Sequence, residues 1–237
     1  MYTYEIYAGY SAMDTSLHMK IPAILDCFQD AAIFEAESGK ITVAYLYSRQ
    51  LAWILSSWQI IIDRRPKLNE KVKVATTPYD FKGFLGYRSF TMTGEDGTVF
   101  VRAASIWTLM DTKKQCPLRL TQELQAGYEM GEKPVMDCAP RKIALLGETQ
   151  IKEQFKVRKF QIDSNQHMNN VVYVKLAMEV LPEDIDIREL RVDYKKPAFL
   201  GDEVVAAVCK TKDKYQVVLQ NPAGDIYAVV EFTLSER

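Results

Sequence analysis

Histidine is scarce in this sequence: His18 and His167 are the only two in 237 residues. Imidazole chemistry is therefore confined to two places. The four cysteines, Cys27, Cys116, Cys138 and Cys209, are scattered and form no C-x-x-C pair. That argues against a zinc site or a redox motif, so reduced thiols and no resident metal or cofactor are expected. A nucleophilic Cys wants a neighbouring base, and the sequence places none beside these four. Excess charge is missing too. Thirty basic and 31 acidic residues leave a net −1, which argues against bulk nucleic-acid binding. No apolar run reaches the roughly 18 residues of a membrane span. The start, Met1-Tyr2-Thr3-Tyr4-Glu5-Ile6, has neither a basic nor an apolar signal region. A cytosolic protein with no membrane partner is expected.

What is present is an ordinary globular composition, 48% hydrophobic, enough for a sizeable core. Tyr2–Tyr7 alternates aromatic and polar residues and reads as a strand. Pro22 fits the first turn of a helix and Gly39 its end, with Ile24, Leu25, Phe28, Ala31, Ala32 and Phe34 as its apolar positions. Strands follow at Trp53–Asp63, Lys71–Thr77, Leu85–Thr93 and Val99–Met110, the last two joined by the hairpin signal Gly94-Glu95-Asp96-Gly97. This is an α+β plan, an antiparallel sheet on one helix. The Pro-containing stretch 112–149 reads as a linker with a short helix at Thr121–Tyr128. The plan then recurs: a strand Ile151–Ile162, a polar turn, a helix to Leu181, and strands Arg188–Lys196, Glu203–Lys210, Tyr215–Gln220 and Ile226–Leu234. Residues recur in order as well. Asp14-Thr15-Ser16-Leu17-His18-Met19 resembles Asp163-Ser164-Asn165-Gln166-His167-Met168. Arg64-Arg65-Pro66 resembles Lys195-Lys196-Pro197, and Trp107-Thr108-Leu109 resembles Phe232-Thr233-Leu234. The expected domains are 1–111 and 150–237.

The second copy of the turn, Asp163–Asn170, holds the chemistry. Asp163, Asn165 and His167 sit at i, i+2 and i+4, so in an extended turn their side chains share a face. The two Asn residues offer caps for a helix starting near Met168–Asn170. The first N–H groups of that helix, on Met168, Asn169 and Asn170, are expected to point outward with the positive helix end behind them, a setting for an oxyanion. The bland alternative is that the same residues merely build and cap a turn. The helix behind is apolar on most sides, with Val171, Val174, Met178 and Leu181 on one stripe and Val172, Leu176 and Val180 extending it. The first copy carries Ser16 in place of Asn165 and reads as a degenerate site.

The turn, together with Trp53-Ile54-Leu55 through Asp63-Arg64-Arg65-Pro66 and Arg102–Asp111, resembles the acyl-acyl-carrier-protein thioesterases of the bacterial type related to the plant plastid enzymes. The likeness covers nearly the whole chain. It implies a tandem double hotdog, two curved antiparallel sheets each wrapped around a long helix. The function implied is hydrolysis of the thioester between a fatty acyl chain and a phosphopantetheine arm, in fatty acid biosynthesis. By motif match Asp163, Asn165 and His167 are the catalytic positions. Asp163 would act as general base or as nucleophile, and His167 would orient it, activate water or protonate the thiolate. The plant members carry an acid beside a Cys after a basic pair, where this chain has Pro197-Ala198.

Such a substrate needs an apolar channel, and Ile24, Leu25, Phe28, Ala32 and Trp53 are its candidate walls. The implied partner, an acidic acyl carrier protein, needs a basic patch. Arg64, Arg65, Lys195 and Lys196 are the leading candidates for it, with Lys82, Arg88, Arg158, Lys159 and Arg191 behind them. Self-assembly is left open, since two hotdog units in one chain already imitate the common dimer. Alternatives are an acyl-CoA thioesterase, a non-catalytic acyl-thioester binding module, and a dehydratase on the same fold, whose Gly- and Pro-containing His turn the sequence lacks.

Overall fold

The computed structural model describes residues 1–183 and 185–235. Positions 184, 236 and 237, inside the expected second domain, lie outside the described residues. The chain forms two compact units. The first is Met1–Ser56 with Ile60–Cys138. The second runs from Ala139 onward and includes the strand segment Ser57–Gln59.

In the first unit, strands β1 (Tyr2–Tyr7), β2 (Leu51–Ile62), β3 (Lys71–Lys82), β4 (Leu85–Gly94) and β5 (Val99–Asp111) follow the order β1-β3-β4-β5-β2. The pairs β1·β3, β3·β4 and β4·β5 are antiparallel. Helix α1 (Ile21–Ser38) starts with Pro22 in its first turn, where the missing N–H has no intrahelical partner to lose. Its buried residues include Ile21, Ile24, Leu25, Phe28, Ala31 and Ala32, the i, i+3, i+4, i+7 spacing of one helical face. The Phe28 ring meets Phe90 of β4 at 5.2 Å between centroids. Burying such side chains contributes about 1.5–3 kcal/mol each.

Several boundaries differ from the sequence reading. β3 runs five residues further, to Lys82, carried past Pro78 by a bulge between Pro78 and Asp80; the bulge accommodates a residue that has no N–H for the ladder. A short helix α2 (Val43–Ser48) is capped by Thr42 Oγ1, which accepts from Tyr45 N–H. Two small elements, β6 (Cys116–Pro117) and α3 (Gln122–Gln125), lie inside the stretch read as linker, and α3 is shorter than the helix expected there.

In the second unit, β7 (Gln150–Lys156), β8 (Ile187–Tyr194), β9 (Glu203–Lys210), β10 (Lys214–Gln220) and β11 (Ile226–Leu234) take the order β8-β11-β10-β9-β7, antiparallel throughout. Read from β7, this is the strand order of the first unit. Helix α4 (Asn170–Glu179) packs on β10 and β11 and buries Val171, Val172, Tyr173, Val174, Leu176 and Ala177. β7 ends at Lys156, not Ile162. Val157 donates its N–H to the Asp202 carbonyl, and a 3-10 turn at Lys159–Gln161 carries the chain into the polar turn. Among the described residues no helix is long and apolar enough to cross a membrane.

Candidate active site

The turn before α4 is closed by its own first residue. Asp163 N–H donates to the His167 carbonyl at 2.8 Å, and Ile162 bridges Met168. Asp163 Oδ1 accepts from Asn165 N–H at 2.8 Å and from His167 N–H at 3.3 Å. Gln166 sits at φ 63°, which lets the chain reverse within so few residues. The backbone N–H groups of Asn165 and His167 are thus brought to one oxygen of Asp163. Asn169 caps α4, its Oδ1 accepting from Val171 N–H at 2.8 Å.

The expected oxyanion donors are placed differently. Met168 donates its N–H to the Ala198 carbonyl at 2.8 Å, and Asn169 donates to the Gln161 carbonyl at 2.9 Å. Both are committed to backbone acceptors, because these two residues tie the helix start to the neighbouring segments. Of the three expected donors, Met168 and Asn169 are therefore taken, and Asn170 is the first residue of α4.

The turn before α1 has the same build. Asp14 N–H donates to the His18 carbonyl at 2.8 Å, Asp14 Oδ1 accepts from Ser16 and His18 N–H, and Leu17 takes φ 58°. Ser16 Oγ adds bonds to Asp14 Oδ1 at 2.7 Å and to His18 Nδ1 at 3.0 Å.

The loops that support the two turns also correspond, but one residue away from the sequence alignment. Met19 N–H bonds the Pro66 carbonyl where Met168 N–H bonds that of Ala198. Asp63 and Arg64 N–H share the Phe100 carbonyl where Lys195 and Lys196 share that of Tyr227. Pro66 therefore matches Ala198, and Arg65 matches Pro197. This corrects the pairing of Arg64-Arg65-Pro66 with Lys195-Lys196-Pro197.

The shift has a chemical consequence. Arg65 Nη1 forms an ion pair with Asp14 Oδ2. Partial burial pushes the Asp14 carboxyl up. Hydrogen bonds from Ser16, Arg65 and His18 N–H, with the Arg65 charge, outweigh that and hold it well below the usual carboxylate range. The second turn has Pro197 at that place, and among the described residues no cation pairs with Asp163. One carboxylate is locked, and the second oxygen of the other has no hydrogen-bond partner among the described residues.

Residues that sequence reasoning missed complete the surroundings. Phe199 lies edge-on to the His167 ring, centroids 5.0 Å apart. Tyr173 on α4 accepts the Ala198 N–H through its hydroxyl at 2.8 Å. Burial pushes the Tyr173 phenol up to about 12, with Tyr227, Asp163 and Asp202 adding to the effect. Asp202 Oδ2 accepts from Phe199 N–H at 2.9 Å and from the Tyr227 hydroxyl at 3.4 Å. A carboxylate absent at Pro197-Ala198 is thus present at the end of the same loop. No group of three or more His, Cys, Asp or Glu side chains among the described residues is arranged to hold a metal ion. A groove of ≈ 670 Å³ lined by Val180, Leu181, Pro182, Lys210 and Tyr215 lies past the other end of α4, away from the turn.

Comparison with known proteins identifies the family. Residues 1–128 match the acyl-ACP thioesterase N-terminal domain, and residues 146–233 match the acyl-ACP thioesterase C-terminal domain. This chain belongs to the acyl-ACP thioesterase family.

Among curated relatives, a chloroplastic palmitoyl-acyl carrier protein thioesterase of Cuphea hookeriana is 26% identical over 163 residues, 64% of this chain and 39% of that protein. A chloroplastic oleoyl-acyl carrier protein thioesterase of Arabidopsis thaliana is 25% identical, over 76% of this chain and 53% of that protein. The chain spans about half the length, or less, of the curated relatives it matches. Of solved structures, an acyl-ACP thioesterase from Bacteroides thetaiotaomicron superimposes with a TM-score of 0.90 at 19% identity, covering 98% of this chain and 97% of the other. A 12:0-ACP thioesterase from Umbellularia californica gives 0.87 at 17% identity, covering 100% and 97%. At these identities the likeness establishes the acyl-ACP thioesterase fold, antiparallel sheet with few helices.

The other residues expected from the family resemblance are distributed unevenly. Ile24, Leu25, Phe28 and Ala32 share the buried face of α1. Trp53 belongs to a different cluster. Its Nε1 donates to the Tyr128 hydroxyl at 2.8 Å and its ring stacks on Phe81, beside Ile41, Leu46, Leu109, Leu120 and Leu124. The four leading candidates for a basic patch are all engaged. Arg64 pairs with Glu70 and lies over the Phe100 ring, Arg65 pairs with Asp14, Lys195 with Asp193 and Lys196 with Asp225. Arg88 is buried against Glu35, Lys82 pairs with Asp80, and Arg191 with Glu231. Each spends its charge on an internal carboxylate, which weakens the pull any of them exerts on a partner. Arg158 and Lys159 are exposed, with no carboxylate in ion-pair contact among the described residues.

Proposed function

We propose that the chain hydrolyses the thioester of fatty acyl-acyl carrier protein, releasing free fatty acid and the phosphopantetheine thiol, as a step of fatty acid biosynthesis in the cytosol. The observation that carries this reading is the second oxygen of Asp163, unpartnered among the described residues while backbone N–H groups of Asn165 and His167 hold the first, in a turn whose twin is locked by Arg65. Family membership supplies the substrate class. The four free cysteines fit a reducing compartment. Each unit is read as a hotdog, one long helix against five strands in a shared order. Acyl-chain recognition is assigned to the first, 1–111, through Ile24, Leu25, Phe28 and Ala32, and catalysis to the second, 150–237.

In this reading Asp163 takes a proton from water, and the resulting hydroxide adds to the thioester carbonyl. The oxyanion that forms is held by side-chain donors, the Asn165 amide and the His167 ring N–H, since the Met168 and Asn169 N–H groups are already bonded. Collapse breaks the C–S bond, and the thiolate takes the proton that Asp163 removed from water, which restores the carboxylate. A general base of this kind is worth about 10²–10⁴ in rate. Each buried methylene adds about 0.8 kcal/mol of binding, so the length of the acyl pocket sets chain preference.

The test is thiol release from acyl-carrier-protein thioesters of graded chain length, beside the matching acyl-CoA esters. The expected result is turnover of carrier-bound substrates with a higher kcat/KM than their CoA counterparts. Preference for CoA esters would move the assignment to an acyl-CoA thioesterase. No turnover of either would overturn it.

A further inference from the structure

Three large apolar side chains lie open to solvent beside the turn that holds Asp163: Phe160 is 86% exposed, Leu200 55% and Phe199 46%. Backbone hydrogen bonds bring together the segments that carry them. Gly201 donates to the Val157 carbonyl at 3.1 Å and Val157 to that of Asp202, which sets the Phe199–Leu200 loop beside the segment Arg158-Lys159-Phe160. Asn169 donates to the Gln161 carbonyl and Phe199 touches His167, which joins both segments to the turn.

Arg158 and Lys159 stand in this patch with no internal carboxylate in contact among the described residues. Of the nearby acids, Asp202 accepts from Phe199 N–H and the Tyr227 hydroxyl, and Glu203 is exposed opposite Lys156 in the β7–β9 pair. An apolar centre with unpaired cations at its rim is the make-up of a protein-docking surface. An exposed Phe is costly to keep in water unless a partner covers it.

We propose that the surface formed by Arg158, Lys159, Phe160 and Leu200 docks an acidic carrier protein, with Phe160 seated on an apolar spot between its carboxylates. The proposal rests on the hydrolase reading for the identity of the occupant, because a carrier that delivers a thioester to Asp163 must stand at the rim of this turn. Charge complementarity selects an acidic face. The surface replaces the set Arg64, Arg65, Lys195 and Lys196, whose charges are internally matched. Direct steering by two cations acts mainly on association rate and weakens with salt, whereas loss of the Phe160 contact acts on residence time.

Two readouts separate docking from catalysis. Binding of a fluorescently labelled carrier protein, carrying a non-hydrolysable acyl amide on its phosphopantetheine arm, is measured by anisotropy for the wild type, Arg158→Glu with Lys159→Glu, and Phe160→Ser. Hydrolysis of carrier-bound acyl thioester and of acyl-N-acetylcysteamine is measured for the same proteins. Kd and KM for the carrier forms are expected to rise at least tenfold in both variants, with kcat/KM for acyl-N-acetylcysteamine unchanged. Unchanged carrier Kd in both variants, or no carrier binding by the wild type, would overturn the docking surface. So would a wild-type dimer in sedimentation that Phe160→Ser dissociates while carrier Kd stays the same, since a second copy would then be the occupant. If the wild type binds carrier at this surface but cleaves no thioester, docking stands and the hydrolase reading fails.

Discussion

Asp14 and Asp163 accept the same backbone hydrogen bonds and differ in what meets the other oxygen. Arg65 reaches Asp14; Pro197, at the matching position, offers Asp163 nothing. A carboxyl whose folded pKa is lowered contributes stability that is complete above its unfolded value of about 4 and is lost as pH falls through the folded value. Asp14 is such a group. The Tm gap between wild type and Asp14→Asn is therefore predicted to be widest near neutral pH and to narrow as pH drops below about 4, with calorimetry as the check. A gap that stays constant down to about pH 2 would show that the Arg65 pair contributes nothing. At this scale the sequence was informative, because D-x-N-x-H is local and its spacing alone brings the three groups to one turn. The basic-basic-Pro string aligns Arg65 with Lys196, whereas hydrogen-bond register, which tertiary contacts set, aligns it with Pro197. Tyr173, Phe199 and Asp202 were missed because each meets the turn only through tertiary contacts.

The elements behind the turns show paired changes. Pro66 has no N–H, and the α1 residue at the matching helical position, Ile24, offers no acceptor. In the second unit Ala198 has an N–H, and Tyr173 supplies the oxygen that takes it. Both sites are satisfied, each in its own way, as buried backbone groups require. Tyr173→Phe leaves that N–H bare and is predicted to cost about 1–3 kcal/mol, read as a lowered midpoint in urea unfolding. No change in midpoint would mean that water or another acceptor already serves Ala198. Helix and strand types were legible from periodicity: α1 presents the expected apolar face except at Phe34, which is exposed, α4 presents its own but ends at Glu179 before Leu181, and the β4–β5 hairpin turns at Gly94–Gly97. Ends were less legible. β7 stops short because Val157 and Arg158 are drawn to Asp202 and Gln161, partners that alternation of side chains does not reveal. α2 escaped notice because six residues carry too little periodic signal.

For the molecule as a whole, the repeat is written more clearly in hydrogen bonds than in residues. Both units use one strand order, one turn closed by an Asp, and one supporting loop. We propose that the duplicated fold carries one inactive and one active copy of the same turn. The most direct test of this is kcat on one carrier-bound acyl thioester for Asp14→Asn and Asp163→Asn side by side. Asn keeps the oxygen that accepts the turn's two N–H groups and removes the base, so the comparison isolates chemistry from folding. Asp163→Asn is predicted to lose about 100-fold or more in kcat while Asp14→Asn stays near the wild type. Equal losses in the two variants, or near-normal turnover by Asp163→Asn, would contradict it.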